Sequence, residues 1–104
     1  MSTARSDRPV SRALDHHRDA LRALALAHGL KNPRVFGSAA RGADGPGSDL
    51  DLLVDPTPQQ TTYFDLADFQ AEAERILGVR VDVRTPAALH ARIRAAVLSD
   101  ATPL

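Results

Sequence analysis

The run Leu50-Asp51-Leu52-Leu53-Val54 places the strongest constraint on how this chain can fold. It has the length and apolar content of a short buried strand, and Pro56 with Pro58 ends it. Acids nevertheless stand at positions 49 and 51. Because side chains two apart on a strand share a face, Asp49 and Asp51 are expected on one side of the sheet. Two adjacent carboxylates repel each other and are costly to bury, so the pair predicts a compensating cation, of which a divalent metal is the simplest.

The other segments predict alternating helices and strands after a flexible arm over residues 1–10. The predicted order is a helix over 11–28 ended by Gly29, a turn over 31–33, a strand over 34–36, the strand over 49–55, a helix capped by Asp65 and ended by Gly78, a strand over 79–84 and a helix opened by Pro86. In the last helix, Leu89, Ile93, Ala96 and Val97 are expected to face inward. Residues 11–104 therefore form one domain in this prediction.

The composition limits the classes of function. A chain of 104 residues supports one domain and leaves no room for a separate substrate domain. Its 13 basic and 13 acidic residues balance, so binding to nucleic acid through a bulk positive field is not expected. The absence of cysteine excludes disulfides and thiolate zinc sites. A polar N-terminus and the lack of any stretch of membrane-spanning length favour a cytoplasmic protein without membrane contact.

Two further segments can complete a catalytic site around the acidic pair. Asp82 lies on the outer face of the alternating strand 79–84, and if the two strands are neighbours all three carboxylates meet at one end of the sheet. Carboxylates can bridge two metal ions about 3.5–4 Å apart for an in-line displacement at phosphorus, and magnesium prefers such oxygen ligands. Gly37-Ser38 follows a strand, and a bend of this kind can bring backbone amides, a hydroxyl and the start of a helix toward phosphates.

Gly37-Ser38, ten residues and then Asp49-Leu50-Asp51 resemble the active-site motif of the polymerase-beta-like nucleotidyltransferase superfamily. The strings FGSAARGADGPGSDLDLLVD, LGVRVDVRT and IRAAVLSDATPL are similar to the minimal nucleotidyltransferase (MNT) antitoxins of HEPN/MNT toxin-antitoxin pairs. This resemblance covers roughly residues 11–104. It implies an α/β (α+β) fold with a short mixed or antiparallel sheet flanked by helices. It also implies transfer of AMP from ATP, with magnesium, to a tyrosine hydroxyl of a partner HEPN ribonuclease in a hetero-oligomer.

The resemblance also implies roles for individual residues. Asp49, Asp51 and Asp82 would be the catalytic carboxylates and metal ligands, with Asp82 helping to deprotonate the acceptor hydroxyl. The nucleotide would be bound by Gly37, Ser38, Arg41 and Ser48: Gly37 permits the phosphates to approach, the two serines supply hydroxyls, and Arg41 supplies a guanidinium for phosphate.

Several alternatives stay open. Asp49 and Asp51 can be a solvated strand start, and Asp82 can pair with Arg80 or Arg84 on its own strand face. At the level of function, the acceptor can instead be a small molecule such as an aminoglycoside. A third possibility is an antitoxin that neutralises its partner by binding alone.

Overall fold

The computed structural model describes residues 10–41 and 49–104. Its helices are α1 (Val10–Asp15), α2 (Arg18–Ala27), α3 (Tyr63–Leu77) and α4 (Ala91–Asp100); its strands are β1 (Leu30–Phe36), β2 (Leu50–Pro56), β3 (Val81–Arg84) and β4 (Thr102–Pro103). A short 3-10 helix, Pro86–Ala88, precedes α4. Within the described residues no helix is long and apolar enough to cross a membrane.

The four strands form a mixed sheet in the order β3-β2-β1-β4. β1 runs antiparallel to both β2 and β4, whereas β2 and β3 are parallel and are joined through α3. The predicted fold class, a short mixed sheet flanked by helices, is confirmed. The parallel pair places the starts of β2 and β3 at the same edge of the sheet.

One face of the sheet carries the main core. The alternate residues Leu50, Leu52 and Val54 of β2 are fully buried. They join an apolar cluster that includes Leu21 of α2 and Phe69 of α3. Because successive side chains of a strand point to opposite faces, Asp51 must lie on the other side of the sheet.

The first predicted helix is wrong in its continuity. A turn at His16–His17 divides it into α1 and α2, and histidine is a poorer helix former than the alanine and leucine that follow. The turn predicted over 31–33 is also wrong, because these residues lie inside β1. Pairing with β2 shifts register between Lys31 and Arg34, and Asn32 adopts a φ of 52°, which asparagine tolerates better than most residues.

Asp65 is not the cap of α3. Thr62 is the N-cap, and the Asp65 carboxylate accepts a hydrogen bond from the Thr62 backbone at 2.8 Å, which forms a capping box. Gly78 ends the helix in the left-handed region, as predicted.

The final helix begins later than predicted and buries less. After the 3-10 helix, α4 starts at Ala91 with His90 as its N-cap. Leu89 is buried, but Ile93 is 47% exposed and Ala96 is exposed, so the prediction that they face inward is wrong. Indeed α4 contains no buried residue, and its position depends instead on contacts at its two ends.

Candidate functional site

The face of the sheet opposite the main core carries two rows of side chains. In the first row Phe36, Asp51 and Asp82 are cross-strand partners on β1, β2 and β3. In the second row Arg34, Leu53 and Arg84 are partners, and Leu53 is fully buried. The register thus brings Asp82 directly beside Asp51. The sequence alone left this contact conditional on the two strands being neighbours.

Asp49 precedes β2 and lies at the same edge of the sheet as the first row. Its backbone neighbour Leu50 donates a hydrogen bond to the Arg80 carbonyl at 2.9 Å, which extends the contact between the two chain segments. Asp51 and Asp82 are therefore adjacent at the starts of two parallel strands, and Asp49 immediately precedes the first of these strands.

The three carboxylates differ in how their charge is neutralised. Arg80 Nε lies 3.2 Å from Asp49 Oδ1, and Arg84 Nε lies 3.1 Å from Asp82 Oδ2. Asp51, by contrast, forms no ion pair among residues 10–41 and 49–104. Asp51 is also half-buried, with Phe36 as its cross-strand neighbour on β1. Asp51 is the carboxylate whose charge has the least compensation.

The pKa of Asp51 reflects this environment. Burial raises the pKa of the Asp51 carboxyl above its ordinary value, and the negative charges of Asp82 and then Asp49 raise it further. The positive charges of Arg84 and Arg41 lower it, but they offset only part of the rise. A cation bound among these carboxylates would relieve the repulsion that the arginines leave.

The donor set fits a hard divalent cation. All three groups are carboxylates, which suit magnesium, and they share one edge of the sheet. In the described part of the chain, however, no three acidic or histidine side chains are gathered closely enough to form a ready metal cage. Arg80 and Arg84 occupy oxygens of Asp49 and Asp82 instead. Both arginines are well exposed, at 82% and 48%, so their side chains can turn away into water.

Position 37 requires a glycine because the backbone there lies against the Asp51 carboxylate. Its φ is +76°, and a Cβ at this position would lie 2.4 Å from Asp51 Oδ2. The sequence predicted a glycine that lets phosphates approach; the structure shows a glycine that lets the backbone lie against a carboxylate. The amide of Arg41 donates to the carbonyls of Gly37 and Ser38 at 3.3 and 3.2 Å. The start of a helix that the sequence predicted at the Gly37-Ser38 bend is instead a hydrogen-bonded turn over 37–41.

The other predicted nucleotide-binding residues have different positions. Ser38 is half-buried inside the turn, next to Gly37. Arg41 is exposed, and its Nη1 lies 2.7 Å from Asp100 Oδ2 at the end of α4. Ser48 lies outside the described residues. Asp100 was not predicted as part of the site, because it is 59 positions from Arg41 and no local pattern connects the two.

A cleft of about 400 Å³ lies apart from the carboxylates, at the opposite ends of β2 and β3. It is lined by Pro56, Thr61, Thr62, Tyr63, Leu66 and Thr85, none of which is a predicted site residue. Tyr63 and the adjacent Phe64 are 90% and 82% exposed. The cleft is therefore separate from the candidate site.

A mixed sheet with carboxylates at the starts of two parallel strands, beside a glycine-serine turn, is an arrangement suited to chemistry at a phosphoryl group. Comparison with known proteins agrees. Residues 14–103 match the model of the nucleotidyltransferase domain family. The chain belongs to this family and is a nucleotidyltransferase, which confirms the resemblance found in its motifs.

Curated relatives include several candidate protein adenylyltransferases of Methanocaldococcus jannaschii. One is 35% identical over 78 residues, which are 75% of this chain and 83% of the relative. A second is 32% identical over 76 residues, which are 71% of this chain and 74% of that relative. The similarity thus extends over most of the domain.

Solved structures show the same fold. A candidate minimal nucleotidyltransferase superposes with a TM-score of 0.83 at 39% identity, covering 98% of this chain and 100% of the other. A chain of a toxin-antitoxin complex crystallised with AMP-PNP superposes with a TM-score of 0.66 at 15% identity, covering 89% of this chain and 70% of the other. The second likeness is evidence of the fold alone.

Proposed function

We propose that this chain is a magnesium-dependent protein adenylyltransferase and an antitoxin. Residues 11–104 would form the minimal catalytic domain, which transfers AMP from ATP to a tyrosine hydroxyl of a partner HEPN ribonuclease in the cytoplasm. The observation that carries the proposal is the register of β2 with β3, which sets Asp82 beside Asp51 at the edge that also holds Asp49 and Gly37. The adenylyltransferase names of the relatives support the choice of reaction.

In this proposal Asp49, Asp51 and Asp82 hold two magnesium ions. When bound, magnesium neutralises the phosphates and lowers the pKa of the attacking hydroxyl. Asp82 accepts the proton from the tyrosine hydroxyl, whose oxygen forms the new bond to the α-phosphorus of ATP. The bond from the α-phosphorus to the bridging oxygen breaks, and pyrophosphate leaves with the electron pair. The products are an AMP-tyrosine ester and pyrophosphate.

The turn over 37–41 binds the triphosphate in this proposal. Ser38 supplies a hydroxyl, and Arg41 supplies a guanidinium that can contact two phosphate oxygens. Ser48 has the corresponding role by its place in the sequence motif. Gly37 contributes indirectly, because the absence of a side chain at this residue leaves space for the Asp51 carboxylate.

The architecture of the described residues argues for a protein acceptor that docks on them. They form one four-stranded sheet with its helices and include no second lobe that could enclose a small acceptor. A folded partner can instead bring its own complementary surface and present its hydroxyl at the sheet edge. The expected complex of the two proteins is then a stable hetero-oligomer in which the acceptor tyrosine reaches the carboxylates.

The test is to incubate the purified chain with ATP, magnesium and the native product of the adjacent gene, and to measure intact masses. We expect the partner to gain one or more AMP units, and chelation of the metal to prevent the gain. Asp51→Asn should abolish the gain, whereas Asp68→Asn, an exposed acid on α3, should not. If the wild-type chain binds the partner but adds no mass to it, the proposal is refuted. A doubly substituted Asp49→Asn, Asp51→Asn chain that still silences the partner would instead show that binding alone neutralises it.

A further inference from the structure

The ion pair between Arg41 and Asp100 joins two distant parts of the chain. Arg41 belongs to the turn after β1, and Asp100 is the last residue of α4. Both side chains are partly exposed, at 55% and 39%, so neither is locked in place by packing. The contact can therefore open without exposing any apolar core.

The position of Asp100 is unfavourable for the helix itself. A negative charge in the last turn of a helix opposes the partial negative charge of the helix C-terminus. Asp100 is the only charged residue among the last six of α4, and no basic residue stands in its last turn. The interaction that the structure shows for this acid is its ion pair with Arg41.

The contacts that position α4 lie near its two ends, and no side chain between them is buried. Near the start, Arg94 donates hydrogen bonds to the carbonyls of Pro86 and Leu89, each at 2.9 Å. After Asp100, β4 pairs with β1 and the Leu104 amide donates to the Pro33 carbonyl at 3.1 Å. Pairing of Thr102 with Val35 fixes Asp100 close to the Gly37 turn. Between these anchors α4 buries no side chain.

We infer that Asp100 is an anionic placeholder, which binds Arg41 until the triphosphate of the nucleotide displaces it. This inference rests on the proposed function, in which Arg41 binds phosphate. A triphosphate with its magnesium offers Arg41 more charge and more acceptor atoms than one carboxylate does. When Arg41 leaves Asp100 for phosphate, the last turn of α4 loses a stabilising contact. Nucleotide binding at the turn over 37–41 therefore changes the stability of this end of α4.

The first test is a double-mutant cycle on nucleotide affinity. Binding of α,β-methylene-ATP, which cannot transfer AMP, is measured by titration calorimetry with magnesium for the wild type, Asp100→Asn, Arg41→Gln and the double variant. Asp100→Asn should bind about two- to five-fold more tightly at low salt, the range expected when an exposed ion pair no longer competes. Arg41→Gln should bind more weakly, and Asp100→Asn should have no effect in that background.

A matched control separates this effect from a change in net charge. Glu72→Gln also removes one negative charge and breaks an exposed ion pair with Arg75, but it lies on α3 away from the turn. Its nucleotide affinity should equal that of the wild type. Equal gains in Glu72→Gln and Asp100→Asn would overturn the inference, as would an unchanged or lower affinity in Asp100→Asn.

The second test is hydrogen exchange in the last turn of α4. The Ala101 amide donates to the Val97 carbonyl at 2.9 Å, and its exchange should accelerate when the nucleotide analogue binds. Exchange that stays constant or slows would overturn the inference. A wild-type chain that binds no nucleotide at all would refute the proposed function itself. Normal nucleotide binding with no effect of Asp100 would refute only the placeholder.

Discussion

Replacement of Gly37 by alanine tests whether the backbone must lie against Asp51. Two costs are expected, and they can be separated. The first is conformational, because the φ of Gly37 is +76°, a region that costs a residue with a Cβ about 1–2 kcal/mol. The second is steric, because the new Cβ would lie 2.4 Å from Asp51 Oδ2, well inside any normal contact distance.

The steric cost follows from how far the carboxylate must move. To reach an ordinary contact of 3.4 Å or more, Asp51 must shift by about 1 Å toward Asp82, whose charge repels it. Overpacking of this kind costs about 1–3 kcal/mol, so together with the conformational cost the total loss for Gly37→Ala is about 2–5 kcal/mol. In a domain of this size each kcal/mol lowers the melting temperature by about 4–8 °C.

Gly78 supplies the matched control. Its φ is +70°, close to that of Gly37, but a Cβ there would meet nothing within 4 Å. Gly78→Ala should therefore pay only the conformational cost, about 1–2 kcal/mol. The difference between the two variants in urea denaturation, followed by circular dichroism, measures the steric cost alone.

A second background makes the prediction refutable. In Asp51→Ala the carboxylate is absent, so the added cost of Gly37→Ala over Gly78→Ala should disappear. If the two glycine variants are equally destabilised in the wild-type background, or if the extra loss persists in Asp51→Ala, the contact between Gly37 and Asp51 is not the reason for glycine at this position.

Three further predictions concern the charges and caps. Asp51→Asn should lower the rate of AMP transfer by about 100-fold or more, because it removes a proposed metal ligand. It should also raise the melting temperature of the metal-free chain by a few degrees, because the fold disfavours the charged form of this carboxylate. A lower melting temperature would contradict this reasoning. Arg34→Ala should lower the free energy of unfolding in urea by about 1–2 kcal/mol, because Arg34 is only 14% exposed and pairs with the partly exposed Asp55 at 2.6 Å. The control Arg75→Ala, which removes a surface ion pair, should lower it by less than about 0.5 kcal/mol. Thr62→Ala should cost about 1 kcal/mol by the same measurement, since it removes the side chain that caps α3; a cost near zero would show that the cap is dispensable.

Much of the fold follows from short-range patterns. The apolar run of β2, the alternation in β3 and the helical spacing before Gly78 each predict an element that the structure contains. The predictions of secondary structure are wrong where contacts between residues distant in sequence determine the structure. The segment 31–33 is held in β1 by pairing with β2, and the strand Thr102–Pro103 exists only because it pairs with β1. A local pattern carries no record of such pairing.

The candidate site divides in the same way. The shared face of Asp49 and Asp51 follows from strand geometry, and Asp82 joins them once β2 and β3 are neighbours. The close approach of Gly37 to Asp51 depends on an antiparallel register that the sequence does not reveal. The contact of Asp100 with Arg41 is still less predictable, although an acid at a helix C-terminus is a departure from local preference that could have drawn attention to it.

The uneven neutralisation of the three acids has a consequence for the proposed reaction. Arg80 and Arg84 each hold one outer carboxylate, while Asp51 between them has no such partner in the described ranges. Asp51 therefore gains most when a cation binds, and in the proposed function it is the anchor of the metal site. Arg80 directly precedes β3 and Arg84 lies two residues after Asp82, so the guanidinium groups released from Asp49 and Asp82 can turn into water and still remain within side-chain reach of the carboxylates. They are then available to the phosphates of the nucleotide, so the residues that stabilise the metal-free site can also contribute to substrate binding.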